Sequence, residues 1–315
     1  MILTVTANPS IDRTIELAGP LQRGEVHRAA RVIDQPGGKG VNVSRVVMAA
    51  GLPTVALLPA RSDDPFLARL TAAALPHQPV SVDGTVRTNI TLAEPDGTTT
   101  KINEPGASIS ANAAALLLST ILVRAEAADW LALCGSLPPG LDDDWYARLI
   151  SEMTERQCRI AGDTAGAPLS AAVGGRPDLL KPNAHELAEI AGGDGAAMEA
   201  AAADGDPSIA ADVARTVADR TGGSILTTLG GSGALLTTPD GTWYAEAPRI
   251  TVRSTVGAGD ASLAGYLIAH QRGASPEELL RSAVAHGSAA ASLPGTTPPT
   301  PDLVDTVALA VTRLS

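Results

Sequence analysis

Asp260 is preceded by the small-residue turn Gly257-Ala-Gly259 and followed by an apolar run, within Ser254-Thr-Val-Gly-Ala-Gly-Asp-Ala-Ser-Leu-Ala-Gly265. The β-branched residues at 250–256 predict a strand, and the pattern beyond them predicts a helix from about Asp260. A glycine turn at a helix N-terminus exposes free backbone N–H groups, which suit an anion such as phosphate. A carboxylate in that turn either caps the helix or reaches past the phosphate to a hydroxyl that it deprotonates. The stretch by itself fits both readings.

Other clusters bear on the choice. Gly37-Gly-Lys-Gly-Val-Asn-Val-Ser44 is a second glycine turn opening a helix. Its glycines allow close backbone approach, Lys39 offers a point charge, and Asn42 can donate to and accept from sugar hydroxyls. The spacing is not that of a Walker phosphate loop, which argues against that kind of ATP cradle. Arg87 stands before Thr88-Asn-Ile-Thr-Leu92 as a candidate bidentate phosphate clamp. Lys181-Pro-Asn-Ala-His-Glu186 sets Asn183 and Glu186 three residues apart; they suit Mg²⁺ held through water, or equally a capping box. A further glycine turn, Thr227-Thr-Leu-Gly-Gly-Ser-Gly233, fits the wall of a nucleotide pocket or a bare turn.

Composition limits the partners. A net charge of −11 argues against nucleic acid and anionic membranes, so an anionic substrate needs a local positive cluster. Only three of the 23 basic residues are lysines, Lys39, Lys101 and Lys181, and each falls near one of the motifs. Such lysines suit point-charge contacts that a planar guanidinium makes poorly. Cys134 and Cys158 lack metal-ligand spacing and read as buried free thiols. No apolar run approaches the roughly 18–20 residues of a membrane span, and the first residues read as a strand rather than a signal peptide. A cytoplasmic protein is expected.

The elements that must position these residues alternate. Strands are predicted at 2–7, 54–59, 130–134, 158–161, 179–181 and 224–229, and helices at 41–50, 64–74, 111–125, 142–155, 184–191 and 209–221. The acidic Gly/Ala segment 192–206 reads as a surface loop, 234–238 and 242–245 as a hairpin, and 276–292 and 302 to the end as helices. Such alternation predicts an α/β fold with a doubly wound, mostly parallel sheet flanked by helices. Segments 11–34 and 85–103 instead alternate polar and apolar residues around hairpin turns, so antiparallel strands are predicted there. Together they would form a small β-sheet lid over the carboxyl edge of the main sheet.

Over essentially its whole length the chain resembles the ribokinase-like, PfkB-type carbohydrate kinases. Asn8-Pro-Ser-Ile-Asp12, Gly37-Gly-Lys-Gly-Val-Asn42, Arg87-Thr-Asn89, Ile102-Asn-Glu-Pro-Gly106, Gly135-Ser-Leu-Pro-Pro-Gly140, Lys181-Pro-Asn183 with Glu186, and Thr255-Val-Gly-Ala-Gly-Asp260 occur in family order. The first, fourth and fifth look most like the branch of 1-phosphofructokinases and tagatose-6-phosphate kinases. The resemblance implies one kinase domain over 1–315, with Asp260 as catalytic base and Gly257, Ala258 and Gly259 as anion hole. It implies that Asp12, Gly38, Lys39 and Asn42 bind sugar hydroxyls, while Arg87, with Lys39, binds the sugar phosphate. Lys181, Thr227, Gly230 and Gly233 would lie along the nucleotide, His286 and Gly287 near its adenine, and Asn183 and Glu186 at Mg²⁺. The implied reaction moves a phosphoryl group from ATP to a ketohexose phosphate, first of all fructose 1-phosphate. Tagatose 6-phosphate and fructose 6-phosphate are alternative acceptors, a catalytically silent sugar-phosphate sensor is the non-enzymatic alternative, and a homodimer through the lid is the implied assembly. The chain departs from the family pattern at 57–63, where glycine is missing and Arg61 is expected to add a charge near the substrate, and at Ala261, where this branch often has Ser.

Overall fold

The computed structural model describes residues 1–153, 156–305, 307 and 309–315. The chain opens with β1 (Ile2–Thr6), sends out the hairpin β2 (Ser10–Leu17) and β3 (Ala29–Gly37), and returns through α1 (Lys39–Ala49), β4 (Thr54–Pro59), α2 (Pro65–Ala72) and β5 (His77–Val80). A second excursion, β6 (Arg87–Ala93) and β7 (Thr99–Asn103), precedes α3 (Ala111–Ala125), β8 (Trp130–Cys134), α4 (Trp145–Glu152), β9 (Arg159–Asp163), α5 (Gly166–Gly175) and β10 (Leu179–Leu180). Then come α6 (Ala184–Ala191), α7 (Gly195–Ala203), α8 (Ser208–Thr221), β11 (Ser224–Thr228), β12 (Ala234–Thr238) and β13 (Gly241–Ala245). The last elements are α9 (Ala258–Gln271), α10 (Pro276–Ala291), α11 (Pro301–Asp305) and β14 (Val311–Arg313).

The main sheet has ten strands in the order β14-β13-β12-β11-β10-β9-β8-β1-β4-β5. Strands from β5 to β11 run parallel, and β12, β13 and β14 add an antiparallel edge. Helices cover both faces, which is why β1 and β8 are apolar and buried along their whole length instead of alternating. One apolar cluster joins α3, α4, α6 and α8 to the sheet, and another joins α1, α9 and α10 to it. Because β1 pairs with β4 on one side and β8 on the other, chain order reverses there. In open α/β sheets, ligands bind at the carboxyl ends of the strands beside such a switch.

The second sheet has four strands, β3-β2-β6-β7, and forms the expected lid. It is not wholly antiparallel, because β2 and β6 run parallel and join the two hairpins, setting Asp12 opposite Asn89.

Three sequence expectations are overturned. Segment 192–206 contains α7, since alanine is the strongest helix former, Asp194 caps the amides of Ala196 and Ala197, and Met198 and Ala202 bury one face. Residues 250–256 form no strand: among the described residues no strand pairs with them, and the amides of Arg253 and Ser254 donate to the Ala291 carbonyl at 2.9 and 3.2 Å. The helix predicted from 302 is cut to α11, and the chain ends in β14, which pairs with β13. Of these predicted helices, 154–155 in 142–155 and 306 and 308 in the last lie outside the described residues. Strand β5 and helix α5 were not predicted.

Candidate active site

Gly257, at φ 81°, turns the chain into α9, a left-handed geometry that favours glycine. Asp260 falls in the first turn of that helix and is 7% exposed. Asn42, from α1, donates its Nδ2 to Asp260 Oδ2 at 2.8 Å. Burial, reinforced by the nearby charge of Asp163, pushes the Asp260 pKa up to about 6, against the pull of Lys39, the Asn42 hydrogen bond and Lys181. A carboxylate so tuned is ionised at neutral pH and still basic enough to accept a proton.

The neighbour that sequence reading missed is Asp163, fully buried at the carboxyl end of β9. Its carboxylate takes Lys39 Nζ at 2.7 Å and Lys181 Nζ at 3.2 Å. Burial raises its pKa, but the two ammonium groups outweigh burial and hold Asp163 below the ordinary carboxylate range. For Lys39, burial works against the charge, and Asp163 and Asp260 reverse the balance, so Lys39 stays a cation with a raised pKa. A Cβ on Gly259 would lie 3.4 Å from Lys181 Nζ, so this ammonium rests against the α9 turn. The available signal was an acid closing the apolar run Arg159-Ile-Ala-Gly-Asp163 at a strand's carboxyl end.

The lid completes the other side. Asp12 Oδ1 accepts from Ser10 Oγ at 2.8 Å and from Asn89 Nδ2 at 3.2 Å. Burial raises its pKa, partly offset by those two hydrogen bonds and by the charges of Arg87 and Arg45. Gly37 must lack a side chain, because a Cβ there would sit 2.2 Å from Asp12 Oδ2. The Arg87 guanidinium donates to the carbonyls of Glu104 at 2.9 Å and Asn8 at 3.1 Å, while its buried Nε has no partner among the described residues. Asp12, Gly38, Lys39, Asn42, Arg87, Gly257 and Asp260 together line one cleft of about 910 Å³.

The remaining predicted residues are not among those that line this cleft. Asn183 and Glu186 form the capping box of α6: Glu186 N donates to Asn183 Oδ1 at 2.9 Å and Asn183 N to Glu186 Oε2 at 2.8 Å. Thr227 is fully buried on β11, and its Oγ1 has no partner among the described residues. Gly230 opens a short 3₁₀ turn, and a Cβ on Gly233 would lie 2.0 Å from the Ala245 carbonyl. His286 donates Nδ1 to the Ser282 carbonyl at 2.8 Å and packs against Gly265, while Gly287 packs against Ser262. These last contacts are packing between α9 and α10. Lys101 is exposed on β7. Arg61 does not add its charge to the cleft as expected; it turns outward and pairs with Asp63 at 2.5 Å.

A glycine turn at a helix N-terminus, a buried carboxylate and a lid-borne arginine thus meet on one cleft, a combination that suits phosphoryl transfer, and the comparisons with known proteins give the family. The chain belongs to the pfkB family carbohydrate kinases, whose profile matches residues 5–303. It is 32% identical to a 1-phosphofructokinase of Rhodobacter capsulatus over 99% of this chain and 96% of that protein. With a 1-phosphofructokinase of Haloferax volcanii the identity is 35%, over 97% and 95% of the two chains. Phosphofructokinase-2 from Escherichia coli superposes with a TM-score of 0.87 at 26% identity, covering 97% of each chain.

Proposed function

We propose that this carbohydrate kinase transfers the γ-phosphoryl group of ATP to the 6-hydroxyl of fructose 1-phosphate, giving fructose 1,6-bisphosphate and ADP. The observation that carries the reading is the placement of Asp260 and Arg87 on one cleft, a base at an amide turn facing a clamp for a second phosphate. In this reading the whole chain acts as one catalytic unit. Arg87 and Lys39 bind the 1-phosphate, while Asp12, Gly38 and Asn42 orient the sugar hydroxyls. Asp260 takes the proton of the 6-hydroxyl as the new O–P bond forms and the bond between the γ-phosphorus and the β-bridging oxygen breaks. The amides of Gly257, Ala258, Gly259 and Asp260 receive the charge on the transferring group.

In this reading the nucleotide lies along Gly230 and Gly233, over the buried Lys181 and Thr227, with His286 and Gly287 toward the adenine. Glu186 uses Oε2 in its capping box and has no hydrogen bond to Oε1 among the described residues, which fits a magnesium ion held through water by Glu186 and Asn183. When bound, Mg²⁺ neutralises charge on the nucleotide phosphates. Lys39 stays cationic through its ion pair with Asp163.

Exposed Val26, Val32 and Ile102 lie on the lid segments, which supports a homodimer formed through that sheet. Among the described residues no helix is long and apolar enough to cross a membrane. Two free buried cysteines and the use of ATP support a cytoplasmic setting. The function is tested by ADP release with fructose 1-phosphate: saturable turnover that disappears in Asp260→Asn supports it, and absence of turnover by the wild-type chain rejects it.

A further inference from the structure

At the opposite, amino-terminal edge of the main sheet lies a pocket of about 280 Å³, just below the roughly 300–1,000 Å³ of drug-sized ligand sites. Its floor is aromatic. Trp130 begins β8, and Tyr266 and His270 come from the last turns of α9. The Trp130 and His270 rings meet edge-on with centroids 5.0 Å apart, and Tyr266 stacks on His270 at 6.2 Å. Trp130 Nε1 donates to His270 Nδ1 at 3.2 Å. An indole N–H only donates, so Nδ1 must be the unprotonated nitrogen and Nε2 carries the hydrogen. Burial, with the adjacent Arg159 charge, lowers the pKa of His270 and keeps it in this neutral donor form near pH 7.

The rim is basic. Arg159 begins β9, and Arg176 caps α5 in the left-handed region at φ 61°, one of two non-glycine residues with positive φ among the described residues. Arg176 donates Nε to the Thr221 carbonyl at 3.4 Å, leaving its terminal nitrogens for another acceptor. The one acid on the wall, Asp178, already accepts from the Ile160 amide through Oδ2 at 2.8 Å. Two guanidinium groups and a fixed imidazole donor thus outnumber one partly engaged carboxylate, in a chain of net charge −11.

We propose that this pocket is a second anion-binding site, taking a small phosphate- or carboxylate-bearing molecule through Arg159, Arg176 and His270 Nε2. The site is separate from the cleft. Yet β8, β9 and α9 each begin or end in it, and their other ends lead to Gly135, Asp163 and Asp260 beside the cleft, with Asp260 about 15 Å from His270 along α9.

The test is a ¹H–¹⁵N titration of the full chain, following the assigned Trp130 indole resonance, with inorganic phosphate in one arm and malonate in the other. A saturable shift with phosphate alone assigns phosphate chemistry, with malonate alone carboxylate chemistry, and with both a general oxyanion site. The Arg159→Ala/Arg176→Ala double variant should weaken the binding at least about tenfold while turnover of the phosphosugar stays within about twofold. Arg87→Ala, which alters the cleft alone, should leave the Trp130 shift in place. No saturable shift in either arm, an undiminished shift in the double variant, or its loss in Arg87→Ala would overturn the proposal.

Discussion

In the proposed mechanism Asp260 acts as a carboxylate, so its raised pKa of about 6 would set where activity begins. The account predicts that kcat/KM rises with pH through a limb near 6, measured in a buffer series; a flat profile from pH 5 to 8 would contradict it. Asp260→Asn should lose about 10²–10⁴ in kcat. The same variant should be more stable than the wild type at pH 8 by urea unfolding. A carboxyl whose folded pKa is raised loses stability as pH rises through that value, so the gap should close toward pH 4. Asp163 has the opposite sign, a lowered pKa whose stabilisation is present above the unfolded value and lost as pH falls. Asp163→Asn leaves Lys39 and Lys181 competing for a neutral group and should cost about 3–5 kcal/mol at pH 7, the scale of a broken buried ion pair. An unchanged urea midpoint would show that the lysines repartner. The contrast explains what was legible at this scale. Asp260 announces itself through its own glycine turn, whereas Asp163 matters through Lys39, 124 positions away, and nothing local marks that pairing.

At the scale of elements, the parallel seam between β2 and β6 does the positioning. It sets Asp12 against Asn89 and brings Arg87, at the start of β6, beside the Asn8 carbonyl. Arg87→Ala should therefore raise KM for the phosphosugar about 10–100-fold, the worth of a charged hydrogen bond, with a much smaller change for ATP. Equal changes in both would make Arg87 a lid strut rather than a clamp. The hairpins were readable from their alternation and turns, but the seam was not, since strand partners set far apart leave no periodic trace. The β-branched residues at 250–256 misled for a related reason: propensity describes a fit to a sheet, and among the described residues no strand pairs with them. Segment 192–206 misled through composition, its alanines being read as low complexity instead of as a capped helix.

For the whole molecule, alternation and motif order made the doubly wound sheet legible almost end to end, because crossover helices and buried strands each write their own period. The antiparallel edge at β14 was hidden, as a three-residue strand has too little pattern to read. If the lid pairs between copies, light scattering should give twice the monomer mass, and Val32→Asp/Ile102→Asp should reduce it to the monomer. Both dissociation in the wild type and an unaffected dimer in the variant would contradict a lid interface. The central claim, a base aimed at the 6-hydroxyl of a sugar already carrying a 1-phosphate, is tested most directly by comparing kcat/KM for fructose 1-phosphate, fructose 6-phosphate and tagatose 6-phosphate under one coupled assay. The account predicts that fructose 1-phosphate leads by at least about tenfold, and a lead by either 6-phosphate would contradict it.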